Sequence, residues 1–244
     1  MAFSSCNSNT PASDSVTEVN STAGDVIVMG TNAEFPPFEF VGDDGAVDGF
    51  DAALVKEIGE RVGAEVKIEN MEFKSLIMSL SNGKIDLAAA GMTVTEDRKK
   101  DVDFSDTYFV ANQMIIIRQD SEITSLDDLR GKSVGVQEGT TGDLSISEEE
   151  YEVAEVKRFK KGVDAVIDLI NGKVDAVIID SNPAKEYVMA NPGKVMAIAS
   201  GLEEEEYAIA VKKGNTELLT KINGALAEIK ADGTYDELVY KYIQ

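Results

Sequence analysis

The chain has 244 residues, 45 of them acidic and 23 basic, with no histidine, no tryptophan and one cysteine. Those counts exclude a Ser-His-Asp or Cys-His catalytic pair, an imidazole-based zinc site, an internal disulfide and a CxxC redox pair. A net charge of −22 argues against nucleic acid and against a bare anionic membrane surface, since both call for clustered Lys and Arg.

Carboxylate acid–base chemistry and the binding of a cation or zwitterion stay open. At about 150 residues per domain the length suits one large domain or two small lobes. The 43% hydrophobic content supplies a core, and no apolar run approaches the ~18 residues of a membrane span.

Residues 4–24 are polar and small, with isolated valines and no periodic face, so they are read as a flexible linker. Cys6 stands at its head behind Phe3-Ser4-Ser5. That tetrapeptide resembles the end of a lipoprotein signal, in which the Cys becomes lipid-modified. The alternative is a free thiol in a disordered tail.

Val26-Ile27-Val28-Met29 reads as a strand closed by Gly30, and Phe35-Pro36-Pro37-Phe38 as a rigid apolar loop whose rings are either core or pocket wall. A helix is predicted from Asp51, with Leu54, Val55, Ile58 and Val62 on one face and Gly63 as its cap. Val66-Lys67-Ile68 alternates as a strand. Phe73, between Glu72 and Lys74, is as ambiguous as Phe35. Leu76, Ile77 and Leu80 give a second helical face, followed by Asn82-Gly83-Lys84-Ile85-Asp86-Leu87-Ala88, a cap, a turn and a buried strand.

That strand, over residues 87–90, empties into Gly91-Met92-Thr93-Val94-Thr95-Glu96-Asp97-Arg98. Thr93 with Glu96 fits a capping box, so a helix is predicted to start at Thr93 with Arg98 in its first turn. The helix macrodipole disfavours a cation there, and a bound carboxylate would relieve the conflict. Pairing of Arg98 with Glu96 or Asp97 explains the pattern equally well.

Gln113-Met114-Ile115-Ile116-Ile117 is a buried strand and a candidate crossing between lobes. Residues 126–129 begin a short helix ended by Gly131, and Ser133-Val134-Gly135-Val136 is a further strand. Gly139-Thr140-Thr141-Gly142-Asp143 then forms either a donor-rich loop for an anion or a plain turn. Val166, Ile167, Leu169 and Ile170 make a helical face before Asn171-Gly172-Lys173-Val174-Asp175-Ala176-Val177, which repeats the cap, turn and strand 89 residues after its first copy.

Asp180 at the end of that strand either meets an ammonium or caps the helix ahead of Pro183. The glutamate runs at 148–150 and 203–206 are read as solvated surface. Tyr207-Ala208-Ile209-Ala210-Val211 is a candidate return to the first lobe. Leu218, Leu219, Ile222, Leu226 and Ile229 define a long helix, followed by a last turn over 238–243. Alternating strands and helices imply mainly parallel sheets covered by helices. In such sheets ligands bind beyond the carboxyl ends of the strands. A carboxylate-binding group on one side and an acid on the other outline an amino acid.

The motifs Gly30-Thr31-Asn32-Ala33-Glu34-Phe35-Pro36-Pro37-Phe38-Glu39, Gly49-Phe50-Asp51, Ala90 through Arg98 and Asp103-Phe104-Ser105 resemble the polar amino-acid-binding proteins of ABC importers. Gly139-Thr140-Thr141-Gly142, Val174-Asp175-Ala176 and Ala231-Asp232-Gly233-Thr234-Tyr235 extend the resemblance over about residues 25–244. It implies an α/β, two-lobed periplasmic-binding-protein fold of type II with two crossover strands. The expected limits are a lipoprotein tether over 1–24, one lobe over 25–111 plus 205–244, and the other over 112–204.

The resemblance further implies that Arg98 grips the ligand α-carboxylate with Thr93 and Thr141. Asp180, the Gly91 carbonyl and Thr93 take the α-ammonium, and Phe35 and Phe73 flank the side chain. The candidate ligand-binding residues are Asn32, Phe35, Phe73, Gly91, Met92, Thr93, Arg98, Thr141 and Asp180, with no catalytic residue, no metal and no cofactor. Several relatives carry an Asp at the position of Asn32 that holds a basic or amide side chain. Asn32 supplies no counter-charge, and Glu34, Glu39 and Glu138 are the candidates to replace it.

The expected function is capture of a polar L-amino acid, leaning to arginine, lysine or glutamine with cystine possible, for delivery to the permease subunits of an importer. The protein is expected to be a monomer, anchored outside the cell membrane through Cys6 or periplasmic, without nucleic-acid contact. A cyclohexadienyl-dehydratase-like enzyme on the same scaffold is the alternative, distinguished by a protonated acid poised in the cleft.

Overall fold

Short aliphatic runs, each closed by polar or glycine residues and followed by an amphipathic stretch, place strands and helices in alternation along the chain. The computed structural model describes residue 1, residues 25–147 and residues 151–244. Two five-stranded sheets result, each the centre of a lobe. The first has the order Glu65–Asn70, Val26–Thr31, Leu87–Ala88, Ala210–Lys212, Val102–Phe104. The second has the order Glu155–Phe159, Ser133–Gln137, Ala176–Asp180, Gln113–Arg118, Val195–Ala199. In both, the first three strands are parallel and the fourth runs against its two neighbours. One plan is used twice, mainly parallel as the alternation predicts.

The repeated Asn-Gly-Lys segment is built alike in both lobes. Gly83 and Gly172 take positive φ values of 67° and 71°, which turn the chain from helix into strand at no Cβ cost. The repeated aspartate has a definite task. The Asp86 carboxylate accepts from Val28 N–H at 2.8 Å, and the Asp175 carboxylate accepts from Ser133 N–H at 2.9 Å and from its hydroxyl at 3.1 Å. Each aspartate ties its own turn to the neighbouring parallel strand.

Helix Phe50–Val62 buries Phe50, Leu54, Val55 and Ile58 and ends at Gly63, while Thr216–Ala231 buries Ile222, Ala225, Leu226 and Ile229. In the second lobe, Gly162–Ile170 turns Ala165, Val166 and Leu169 inward and leaves Ile167 exposed, contrary to the face read from the sequence. The last turn forms within helix Thr234–Tyr242.

The strand Gln113–Arg118 is not the crossing. It lies wholly in the second sheet, and the preceding segment Phe109–Ala111 pairs antiparallel with Glu205–Tyr207 between the two sheets. A cluster of rings surrounds this pair: Phe38 lies 4.9 Å from Phe109 and 5.2 Å from Tyr207 between ring centroids, both edge-on. Cys6 and the glutamates at 148–150 lie outside the described residues. Among the described residues no helix is long and apolar enough to cross a membrane.

Candidate functional site

The carboxyl ends of the parallel strands face one another across a small, nearly filled cavity that leaves scarcely the room of one water molecule. Asn32, Phe35, Phe73, Gly91, Thr93, Arg98, Thr141 and Asp180 all line it. Met92 does not: its side chain is buried in the apolar cluster with Ala88, Ala90 and Val102. Of the two loop rings, Phe35 is wall and Phe38 is wholly buried core.

Arg98 is buried, and its neighbouring acids do not claim it: Glu96 pairs with Lys99 and Asp97 with Lys100. Its guanidinium donates to the carbonyls of Thr93 at 2.7 Å and of Gly139 at 3.0 Å, the second across the cleft. Its Cζ stands 5.3 Å from the centroid of the Phe73 ring. Burial pushes the Arg98 pKa down, and the charges of Glu205 and Asp180 push it back.

The capping box expected at Thr93 does not form. The helix begins at Arg98, whose N–H is accepted by the Thr95 hydroxyl at 3.2 Å, and Thr93 instead sits in a bridge to Tyr207. Gly91, at a φ of 51°, bends the chain there; a Cβ on it would come within 2.9 Å of the Phe35 ring.

Across the cleft, Thr141 opens helix Thr141–Ile146, so the Gly-Thr-Thr-Gly segment is part loop and part helix. The Gly139 N–H is already given to the Asp143 carboxylate at 3.0 Å, and the side chains of Thr140 and Thr141 line the cleft. Asp180 holds the N-cap position of helix Ser181–Ala190 without capping it; its carboxylate accepts from the Gln113 amide. Burial and then the Glu205 charge push the Asp180 pKa well up, with Tyr207 and Arg98 acting against them. The Tyr207 hydroxyl, buried beside it, has no hydrogen bond of regular geometry among the described residues.

The three candidate replacements for a counter-charge at Asn32 separate cleanly. Glu34 pairs with Lys161 at 2.5 Å and Glu138 with Lys74 at 2.8 Å, both on the rim. Glu39 alone lines the cavity, wholly buried; neither of its oxygens has a hydrogen bond of regular geometry among the described residues, and the neighbour within reach is a second acid, Asp51. Burial, and then the charge of Asp51, raise its pKa well above the ordinary range. Asp51 accepts from Gly91 N–H at 2.8 Å and from the Tyr108 hydroxyl at 2.6 Å, and burial pushes it up to about 6. Asn32 donates to the Met71 carbonyl at 2.8 Å and accepts from the Gln137 amide at 2.9 Å, so both its ends are engaged.

Two residues escape a reading of the sequence. Gln137, at the end of its strand, lines the cavity with its Oε1 buried and unpaired. Glu205 belongs to a run read as surface, and Glu203, Glu204 and Glu206 are indeed exposed. Glu205 is half-buried, and its Oε2 accepts from the Thr93 hydroxyl at 2.5 Å and the Thr141 hydroxyl at 2.8 Å. Strand alternation was the available signal: residues 205 and 207 share a face, and Tyr207 is buried. Among the described residues no group of three acids or cysteines is placed to hold a metal.

Two α/β lobes joined by paired crossing strands, with an arginine and acids facing each other in the cleft between them, define a two-lobed ligand-capturing protein. The chain belongs to the bacterial extracellular solute-binding proteins, family 3, whose model matches residues 27–244. It is 40% identical over 225 residues to the arginine-binding extracellular protein ArtP of Bacillus subtilis (strain 168), covering 88% of this chain and 85% of that one. The putative ABC transporter arginine-binding protein 2 of Escherichia coli (strain K12) is 35% identical over 231 residues, covering 93% of this chain and 94% of that one. A solved ancestral arginine-binding protein bound to arginine matches with a TM-score of 0.86 at 44% identity, covering 90% of this chain and 98% of that one.

Proposed function

We propose that the protein captures an L-amino acid with a cationic or amide side chain between its closing lobes and delivers it to the permease subunits of an ABC importer. The observation that carries this reading is the wall of acceptors: the Glu39 carboxyl, wholly buried with another acid, Asp51, as its neighbour, and the unpaired Oε1 of Gln137. Buried acceptors without donors are costly, and a guanidinium, ammonium or amide supplies the missing donors. Arg98 with Thr93 and Thr141 receives the α-carboxylate, and Asp180 the α-ammonium. Arginine is the leading ligand, since it carries both charge and a planar set of donors and is what the relatives above are named for; lysine, glutamine and cystine follow.

A raised acid in the cleft is also what a dehydratase would use, and Glu39 has that character. Binding is the better reading, because an incoming cation restores the ionised form of Glu39 while Arg98 and Asp180 engage the two ends of a zwitterion. Incubation with prephenate or arogenate is expected to give no aromatic product.

The protein works outside the cell membrane, as a monomer held there by a lipid on Cys6; mass spectrometry of the N-terminal peptide tests the lipid. A thermal-shift screen against the common amino acids, ornithine and cystine tests the ligand class, because stabilisation follows ligand concentration over Kd. Arginine is expected to stabilise most, and silence from every compound would refute the reading.

A further inference from the structure

Glu205 Oε2 is held by two hydroxyls, Thr93 at 2.5 Å and Thr141 at 2.8 Å, which come from opposite sides of the cleft. These are the groups to which, with Arg98, the proposed function assigns the ligand α-carboxylate. The Glu205 charge is also the largest electrostatic influence on Arg98 and on Asp180 from any neighbouring group. Its backbone belongs to the crossing strand Glu205–Tyr207, and the adjacent residues Val94 and Ala208 bond across to Glu206 and Met92, which fixes the side chain beside Thr93. On the outer side lies an open groove lined by Thr93, Lys99, Thr141 and Glu205 itself, which gives a displaced side chain a path to solvent; Lys99 there is already paired with Glu96 at 2.8 Å.

We propose that Glu205 is a built-in stand-in for the ligand α-carboxylate, which an amino acid must displace and a decarboxylated amine need not. The side chain thereby sets discrimination at the carboxylate end of the site and lowers affinity for amino acids, easing their release when the lobes part. If Glu205 occupies the cradle about nine-tenths of the time, only about one molecule in ten is competent, and apparent affinity falls about tenfold.

This inference rests on the proposed amino-acid function, and the test separates the two. L-arginine and agmatine, its analogue without the α-carboxylate, are titrated calorimetrically into the wild type, Glu205→Ala and Glu205→Gln. L-arginine is expected to bind Glu205→Ala about tenfold more tightly. Agmatine, whose ammonium gains from the retained carboxylate, is expected to bind it less tightly. Glu205→Gln should shift both ligands in the same directions by less.

Weaker or unchanged binding of L-arginine to Glu205→Ala overturns the proposal, as does a tighter binding of agmatine. Acetate gives a readout that needs no amino acid. With chloride at equal ionic strength as control, acetate should raise the melting temperature of Glu205→Ala and leave the wild type unmoved. If the wild type ignores every amino acid, the transport reading fails, and the acetate result still decides Glu205: stabilisation of Glu205→Ala supports it and its absence refutes it.

Discussion

Glu39 accepts no hydrogen bond of regular geometry among the described residues and has only the Asp51 carboxyl to share a proton with, whereas Asp51, Asp180 and Glu205 each accept at least one hydrogen bond. The groups that face it electrostatically, Asp51 and Asp180, are acids too, and after burial they hold its pKa up. Its pKa lies above the ordinary value without ligand, and a guanidinium at hydrogen-bond distance brings it down. Between those two values binding releases a proton, and affinity for arginine rises with pH. Calorimetry in buffers of different ionisation enthalpy should detect the proton. Glu39→Gln should abolish the release and weaken L-arginine by about 1.5–3 kcal/mol, with L-glutamine less affected. Arg98→Ala should cost roughly 2–5 kcal/mol of affinity, much of it from leaving a carboxylate unpaired in a closed site. That Glu39 rather than Glu34 or Glu138 faces inward does not follow from the sequence, because all three sit close to strand ends and only tertiary packing decides which finds a lysine.

The repeated helix, turn and strand is the element the sequence states most plainly, and the structure supplies the reason for its aspartate. Asp175 holds two donors of Ser133 in a partly buried place, whereas Asp86 holds one N–H of Val28 at an exposed one. Asp175→Ala is therefore expected to cost about 1–3 kcal/mol in urea unfolding, and Asp86→Ala less. Patterning succeeds for such local devices and for the aliphatic strands because glycine, cap and periodicity act within a few residues. It fails where a distant partner competes. The capping box read at Thr93 gives way because Glu205 takes the Thr93 hydroxyl and Lys99 takes Glu96. The crossing is misplaced by a few residues because Gln113–Arg118 and Phe109–Ala111 are both short β-rich segments, and only their pairing partners tell them apart.

Across the whole molecule, the two lobes meet at a rim of charge. Lys74 pairs with Glu138 at 2.8 Å, Lys160 with Glu72 at 2.6 Å and Lys161 with Glu34 at 2.5 Å, each joining one lobe to the other, and the Tyr187 hydroxyl donates to the Glu34 carbonyl at 2.9 Å. Exposed pairs are worth about 0–1 kcal/mol each. Parting the lobes would break each of these pairs, so they are expected to act on an open–closed equilibrium rather than on folding. Replacing Lys74, Lys160 and Lys161 together by Gln is expected to weaken ligand binding by about 1–2 kcal/mol at low salt and to enlarge the ligand-free molecule in small-angle scattering. Near 1 M salt, where screening acts within about 3 Å, the variant and the wild type should converge. The charge of −22 adds a long-range pull on cations that the same salt removes.

One amino acid is expected to close these lobes by placing its carboxylate on Arg98. Paired calorimetric titrations of L-arginine into the wild type and into Arg98→Ala test it most directly. One saturable site in the wild type, with affinity largely lost in the variant, is the expected result; equal affinity in both, or no binding to the wild type, would contradict it.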